Sequence, residues 1–196
     1  MGAFLYDKAL LDKIQRWTDR TNMTVVDPDS VEQLFSMIAD KTNDEPIQLP
    51  LIAITRPNGY AVNILGKRWT THSGINIQST TDKSLVLNNI PITIEYRLDV
   101  YTRYQREADE YARNLVFNII NFPKITVEIP YEGTKFTHNS NIRLTGGVEN
   151  TSNIAPRIVP GQFTRYSIGI DIDDAFLWDV REKNNISIIT ETELKN

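Results

Sequence analysis

By type and spacing, the residues best placed to do chemistry are the carboxylates of GIDIDDAFLWDVRE, namely Asp171, Asp173, Asp174 and Asp179, with Glu182 nearby. Carboxylates alternating along a strand can gather a divalent cation. The same alternation fits the solvated outer face of a strand whose isoleucines point inward, and that reading is preferred. No calcium-loop pattern with a central glycine occurs. Glu95 and Asp99 share one face of another strand, where paired carboxylates can perform general acid-base work. Arg97 and Arg103 follow on that face, so cross-strand charge pairing is the better account. His72 and His138 are too few and too isolated for a metal site or a nucleophile-base pair. There are 0 cysteines, which removes disulfides, thiolate nucleophiles and cysteine-based metal sites, so the fold rests on packing alone. GxxxxGK[ST], GxGxxG and GxSxG are absent. No catalytic, cofactor-binding or metal residue is expected.

One constellation remains. Arg97, Arg103, Arg106 and Arg113 interleave with Tyr96, Tyr101, Tyr104 and Tyr111, a mixture that can stack nucleic acid. Strand alternation sends these side chains to different faces, and Glu95, Asp99, Glu107 and Glu110 offset the charge. Arginines and aromatics are also enriched at protein interfaces, so a subunit contact is the preferred reading. The expected contact residues are Tyr101, Arg103, Tyr104 and Arg106, together with Lys67, Arg68 and Trp69 in a polar segment further upstream.

The elements that must position these residues are legible in outline. In IPITIEYRLDVYT, Ile92, Ile94, Tyr96, Leu98 and Val100 alternate with Thr93, Glu95, Arg97, Asp99 and Tyr101, the period of a half-buried strand. READEYARNLVFNIINF then sets Ala108, Ala112, Leu115, Ile119 and Phe122 on a helical stripe that Pro123 ends. KITVEIPY returns to alternation through Ile125, Val127 and Ile129. Upstream, residues 4–17 read as a helix with Leu5, Ala9, Ile14 and Trp17 on a stripe broadened by Leu10 and Leu11. A second helix is predicted from Pro28 to Ala39, capped by Asp27. QLPLIAITR is a strand that Pro50 places at an edge or a strand start, and Pro57 to Gly59 is a turn. Residues 60–89 read as an insertion or long hairpin arm. A strand near Phe136 to Thr145 is predicted to end in a turn at Gly146 and Gly147. The last strand places Phe163, Tyr166, Ile168, Ile170 and Ile172 inward, with a bulge near Thr164 to Tyr166 to absorb a phase change.

The totals bound the rest. A chain of 196 residues with 40% hydrophobic and 23% charged residues suits one elaborated globular domain. The expected class is α+β, with a small mixed, mainly antiparallel sheet packed by helices and a long β-hairpin or loop arm. The divisions expected are an N-terminal helical segment at 1–44, a core at 45–182 and a C-terminal tail at 183–196 whose ISII run can add a strand to another chain. No apolar run reaches the roughly 20 residues of a spanning helix, and the N-terminus does not read as a secretory signal, so synthesis in the cytoplasm is expected. A net charge of −4 argues against a general nucleic-acid binder.

The order of elements, with xYRLDVYT leading into an acidic, alanine-containing helix start at READEYA and a final strand TRYSIGIDID, resembles the tail terminator, or tail completion, proteins of tailed bacteriophages and related contractile particles. The resemblance spans about residues 45–180. It implies a virion structural protein of the tail or neck, made in a bacterial host. Such a protein assembles with itself as a ring, commonly six-fold, on the end of the tail tube, and has tube, sheath or head-connector proteins as further partners. DNA would pass transiently through its lumen. It implies no cofactor, no membrane and no enzymatic residues. The readings kept beside it are another tail or baseplate component, a nucleic-acid-binding module using Tyr96 to Tyr104, and a metal-dependent enzyme centred on Asp171, Asp173 and Asp174.

Overall fold

A computed structural model describes residues 2–18, 23–28, 30, 49–63, 84–131, 134–152 and 163–183. The body of the predicted helix at 28–39, Lys67, Arg68 and Trp69 in the arm, and the tail beyond Lys183 lie outside the described residues.

Among the described residues the chain is a mixed α/β protein with two helices and a mostly antiparallel sheet. The elements in order are α1 (Phe4–Thr18), β1 (Thr24–Val26), β2 (Leu51–Thr55), β3 (Ala61–Val62), β4 (Ser84–Thr102), α2 (Gln105–Asn121), β5 (Lys124–Tyr131), β6 (Thr134–Asn150) and β7 (Thr164–Lys183). The sheet runs β1-β2-β4-β7-β6-β5, with β3 paired to β4 beside β2. β1 and β2 are parallel and every other pair is antiparallel. β2 begins directly after Pro50, which cannot donate to a ladder, and β1 then covers its outer edge.

One face of the sheet holds the main core. Ile92, Ile94, Tyr96, Leu98 and Val100 are buried there with Ile168, Ile170, Ile172, Ile125, Val127 and Ile129, as their period-two spacing requires. Tyr6, Leu10 and Ile14 of α1 and Ala108, Ala112, Leu115 and Ile119 of α2 belong to the same cluster. Each fully buried branched aliphatic contributes on the order of 1.5–3 kcal/mol. Two polar ties fix α1. Its Tyr6 hydroxyl accepts from the Phe176 amide at 2.7 Å, and Asp7 accepts the Tyr96 hydroxyl at 2.6 Å while pairing with Arg56 at 3.2 Å. Burial, reinforced by the neighbouring Asp7 charge, raises the Tyr96 hydroxyl above the usual phenol range, so it remains a donor.

Several local expectations are corrected. Phe122 leaves the apolar stripe because α2 ends at Asn121, and Phe122 adopts φ −129°, ψ 57°. Gly146 and Gly147 do not end a strand. β6 continues through them to Asn150, with a register shift between Leu144 and Val148. β7 shows no bulge at 164–166, since its pairing with β4 is unbroken from Thr164 to Ile172. The irregularity falls at Asp173 and Asp174, where β7 carries one more residue than β4 between the Ile92–Ala175 and Ile94–Ile172 pairs. Asp174 takes φ 57°, a left-handed conformation that aspartate tolerates better than most residues. Its carbonyl accepts from Ser140 Oγ at 3.1 Å and lies 2.7 Å from His138 Nε2. At the predicted Pro57–Gly59 turn, Gly59 supplies the positive φ of 67°.

Candidate functional site

The second face of the sheet carries Glu95, Arg97, Asp99, Asp171 and Arg143. β4, β7 and β6 place them in rows: Glu95 faces Asp171, which faces Arg143, and four residues along, Asp99 faces Ser167, which faces Glu149. Gly169 lies between those rows, opposite Arg97. At the apolar end of the same face, Leu51, Ala53 and Tyr101 form a small second core with Phe163, Val26 and Leu49. Phe163 therefore joins the second core instead of the main one, which accounts for the phase change in the sequence.

Asp99 is the centre of this face and is fully buried. Its carboxylate accepts from Ser167 Oγ at 2.5 Å, from Arg165 at 2.8 Å and from Arg97 Nε at 3.2 Å. Thr151 Oγ1 extends the network to Ser167 at 2.9 Å. Arg165 also lies over the Tyr101 ring, 5.5 Å from its centroid. Burial opposes the Arg165 charge, but the Asp99 bond and charge outweigh it and leave its basicity raised. Burial pushes the Tyr101 hydroxyl up to about 12. The network joins the Asp99 carboxylate to two guanidiniums and a hydroxyl, tying β4 to β7 and, through Thr151, to the residue after β6.

Beside Asp99 an open trough of ≈ 460 Å³ is lined by Glu95, Arg97, Thr145, Gly146, Gly147, Glu149, Ser167, Gly169 and Asp171, among others. Local sequence creates it. The β6 irregularity leaves Thr145, Gly146 and Gly147 out of register opposite Gly169, where a Cβ would stand 2.5 Å from Thr145 Oγ1. Asp171 is 9% exposed and pairs with Arg143 at 3.2 Å, and Arg143 also reaches Asp173 at 3.5 Å. Burial raises the Asp171 carboxyl above the usual carboxylate range, against the pull of Arg143. Asp171 is thus not part of a solvated face. No group of three or more His, Cys, Asp or Glu residues poised to hold a metal occurs among the described residues.

No family model matches the chain, and no curated protein matches it. Its reading therefore rests on residues and geometry. Of the expected contact residues, Tyr101 is buried, whereas Arg103, Tyr104 and Arg106 are exposed together at the β4–α2 junction. Lys67, Arg68 and Trp69 lie outside the described residues. Tyr96 is buried in the main core, which removes it from any stacking platform. His138 meets the edges of Phe176 and Trp178 at 5.1 and 5.2 Å, as part of a packed aromatic group. A further feature was not foreseen. Phe117, Ile120 and Phe122 at the C-terminal end of α2 are 66%, 63% and 58% exposed. Helical spacing carried the signal, since Phe117 and Ile120 fall three residues apart and off the buried stripe.

Proposed function

We propose that this chain is a non-enzymatic structural protein of a phage tail or neck, and specifically a ring-forming tail terminator that caps the tail tube and joins it to the head connector. The observation that carries the reading is the exposed apolar pair Phe117 and Ile120, followed by exposed Phe122 just past the end of α2, on a helix whose opposite stripe is fully buried. Clustered exposed aromatics of this kind mark surfaces that association covers. The sheet adds support, because its outer strands β1 and β5 differ in length and in pairing direction. A closed heterologous ring needs two unlike surfaces on each subunit. In this reading the buried Asp99 network keeps the surfaces fixed relative to one another.

The test is light scattering over a concentration series with negative-stain imaging of large species. Closed rings are expected, and Phe117→Ser with Ile120→Ser is expected to reduce them without lowering the unfolding midpoint. A protein that is monomeric at every concentration and does not bind isolated tail-tube ends would refute the reading.

A further inference from the structure

Asn58 and Gly59 form the sole Asn–Gly dipeptide in the chain. They lie in the turn between β2 and β3, and both are exposed. This pair carries a reaction of its own. When the residue after an asparagine is glycine, its main-chain nitrogen can reach the asparagine Cγ, because no Cβ blocks the approach and the backbone there turns freely. Three observations favour that attack here. Gly59 takes φ 67° with nothing within 4 Å of the place a Cβ would occupy, so the segment has room to close a ring. The Gly59 amide makes no hydrogen bond among the described residues, so neither ladder nor helix holds that nitrogen back. The Asn58 carboxamide is held through Nδ2, its leaving group, which donates to the exposed Glu95 carboxylate at 3.1 Å. The other described asparagines differ. All but Asn63 lie within helices or strands, and Asn63 precedes the β-branched Ile64, whose side chain crowds its own nitrogen.

We propose that Asn58–Gly59 is a self-modifying site, at which the chain converts its own asparagine to aspartate and isoaspartate and so loosens β3 from β4. The Gly59 nitrogen gives up its proton and bonds to Asn58 Cγ, the Cγ–Nδ2 bond breaks, and Nδ2 leaves with that proton as ammonia. The product is a cyclic succinimide. Water then opens the ring: attack at Cγ gives aspartate, and attack at the Asn58 main-chain carbonyl gives isoaspartate, with the chain rerouted through the former side chain. One water is consumed, one ammonia is released, and nothing is oxidised or reduced. The inference is independent of the ring reading. Its structural effect follows from what Asn58 holds. Thr55 Oγ1 donates to the Arg97 carbonyl at 3.3 Å, Asn58 Nδ2 to Glu95, and Asn63 Nδ2 to Thr93 Oγ1 at 2.8 Å, so three side chains lace the β2–β3 connection to β4. Conversion removes the middle bond. It also sets a new carboxylate against Glu95, which already faces Asp171 across the ladder.

The experiment is incubation of the full-length protein in neutral buffer, followed by peptide mapping with mass spectrometry and an isoaspartyl methyltransferase assay. It compares native wild type, wild type unfolded in urea, Asn58→Gln and Asn58→Asp. Residue 58 is exposed in a turn, so both variants are expected to fold, and unfolding midpoints check this. In the native wild type, acid is expected to accumulate at residue 58 at least about tenfold faster than at any other described asparagine. Asn58→Gln should abolish the isoaspartyl signal at that position. Native protein that keeps Asn58 intact while the urea-unfolded chain converts it would overturn the site, because the fold would then be protecting the pair. The structural effect is read separately. Asn58→Asp should speed hydrogen exchange at the Asn63 amide, which donates to the Pro91 carbonyl at 3.1 Å, and an unchanged rate there would overturn the loosening of β3.

Discussion

Replacing Asp99 with alanine tests whether the second sheet face is held by a charge network or only tolerates one. The magnitude follows from exposure. Arg97 has its side chain 47% exposed and can return to water, so losing its bond to Asp99 costs little. Arg165 has its side chain 13% exposed and cannot do so, and Ser167 is buried, so alanine strands a guanidinium and a hydroxyl together. Removing one partner of a buried ion pair costs about 3–5 kcal/mol. Arg165→Ala should cost less, about 2–3 kcal/mol, because Asp99 keeps its bonds to Ser167 and Arg97. The double variant Asp99→Ala, Arg165→Ala should be less damaging than the sum by more than about 1 kcal/mol, since neither stranded group remains. The assay is chemical unfolding at one fixed, low protein concentration, so that assembly does not contribute to the measured stability. A single-variant loss under about 1 kcal/mol, or additivity within about 0.5 kcal/mol, would refute the account.

Three further outcomes follow from the same geometry. Gly169→Ala should lose about 1–3 kcal/mol by overpacking against Thr145 Oγ1, and adding Thr145→Ala should recover most of it; a crystal structure or unfolding curve of the double variant decides the point. Tyr6→Phe should lose about 1–2 kcal/mol by leaving the Phe176 amide unbonded, read as earlier hydrogen exchange at that amide. Asp171 has a carboxyl raised above its unfolded value of 3.8, so the fold holds that proton more tightly than the unfolded chain does. Its contribution is therefore complete below 3.8 and lost as pH rises through the higher folded value, and Asp171→Asn should gain stability relative to wild type across that window, a trend that a flat difference curve would contradict.

What the sequence disclosed and what it withheld divide along the range of the interactions. The stripe Ala108, Ala112, Leu115 and Ile119 was readable because a helix decides its own faces. Ile92 to Val100 was readable for the same reason, as strand alternation is local. The burial of Asp99 and Tyr101 on the opposite face was not, because it depends on Arg165, Ser167 and Phe163, more than sixty residues away. Strand β1 was missed since its three residues carry too little pattern. The glycine pair was read as a turn because two adjacent glycines often make one, and only the pairing with β7 reveals that here they fall in a register shift opposite Gly169. Tyr104, Arg103 and Arg106 were legible as a corner because strand and helix patterns meet there without a loop.

The position of β7 has a consequence for how the chain can be made. Among the described residues it is the last strand in sequence, yet it lies between β4 and β6 in the sheet. During synthesis β1, β2 and β4 can pair on one side, and β5 with β6 on the other, and among the described residues no strand pairing joins the two groups without β7. A ribosome carrying this chain through residue 163 therefore holds two half-sheets whose facing edges are both open, and the main core lacks Tyr166, Ile168, Ile170 and Ile172 until residues 164–183 emerge. Closure pairs residues as far apart as Ser84 and Lys183, a loop that makes the final step slow. In a cell the interval before that last insertion is when this protein most needs protection from its own copies.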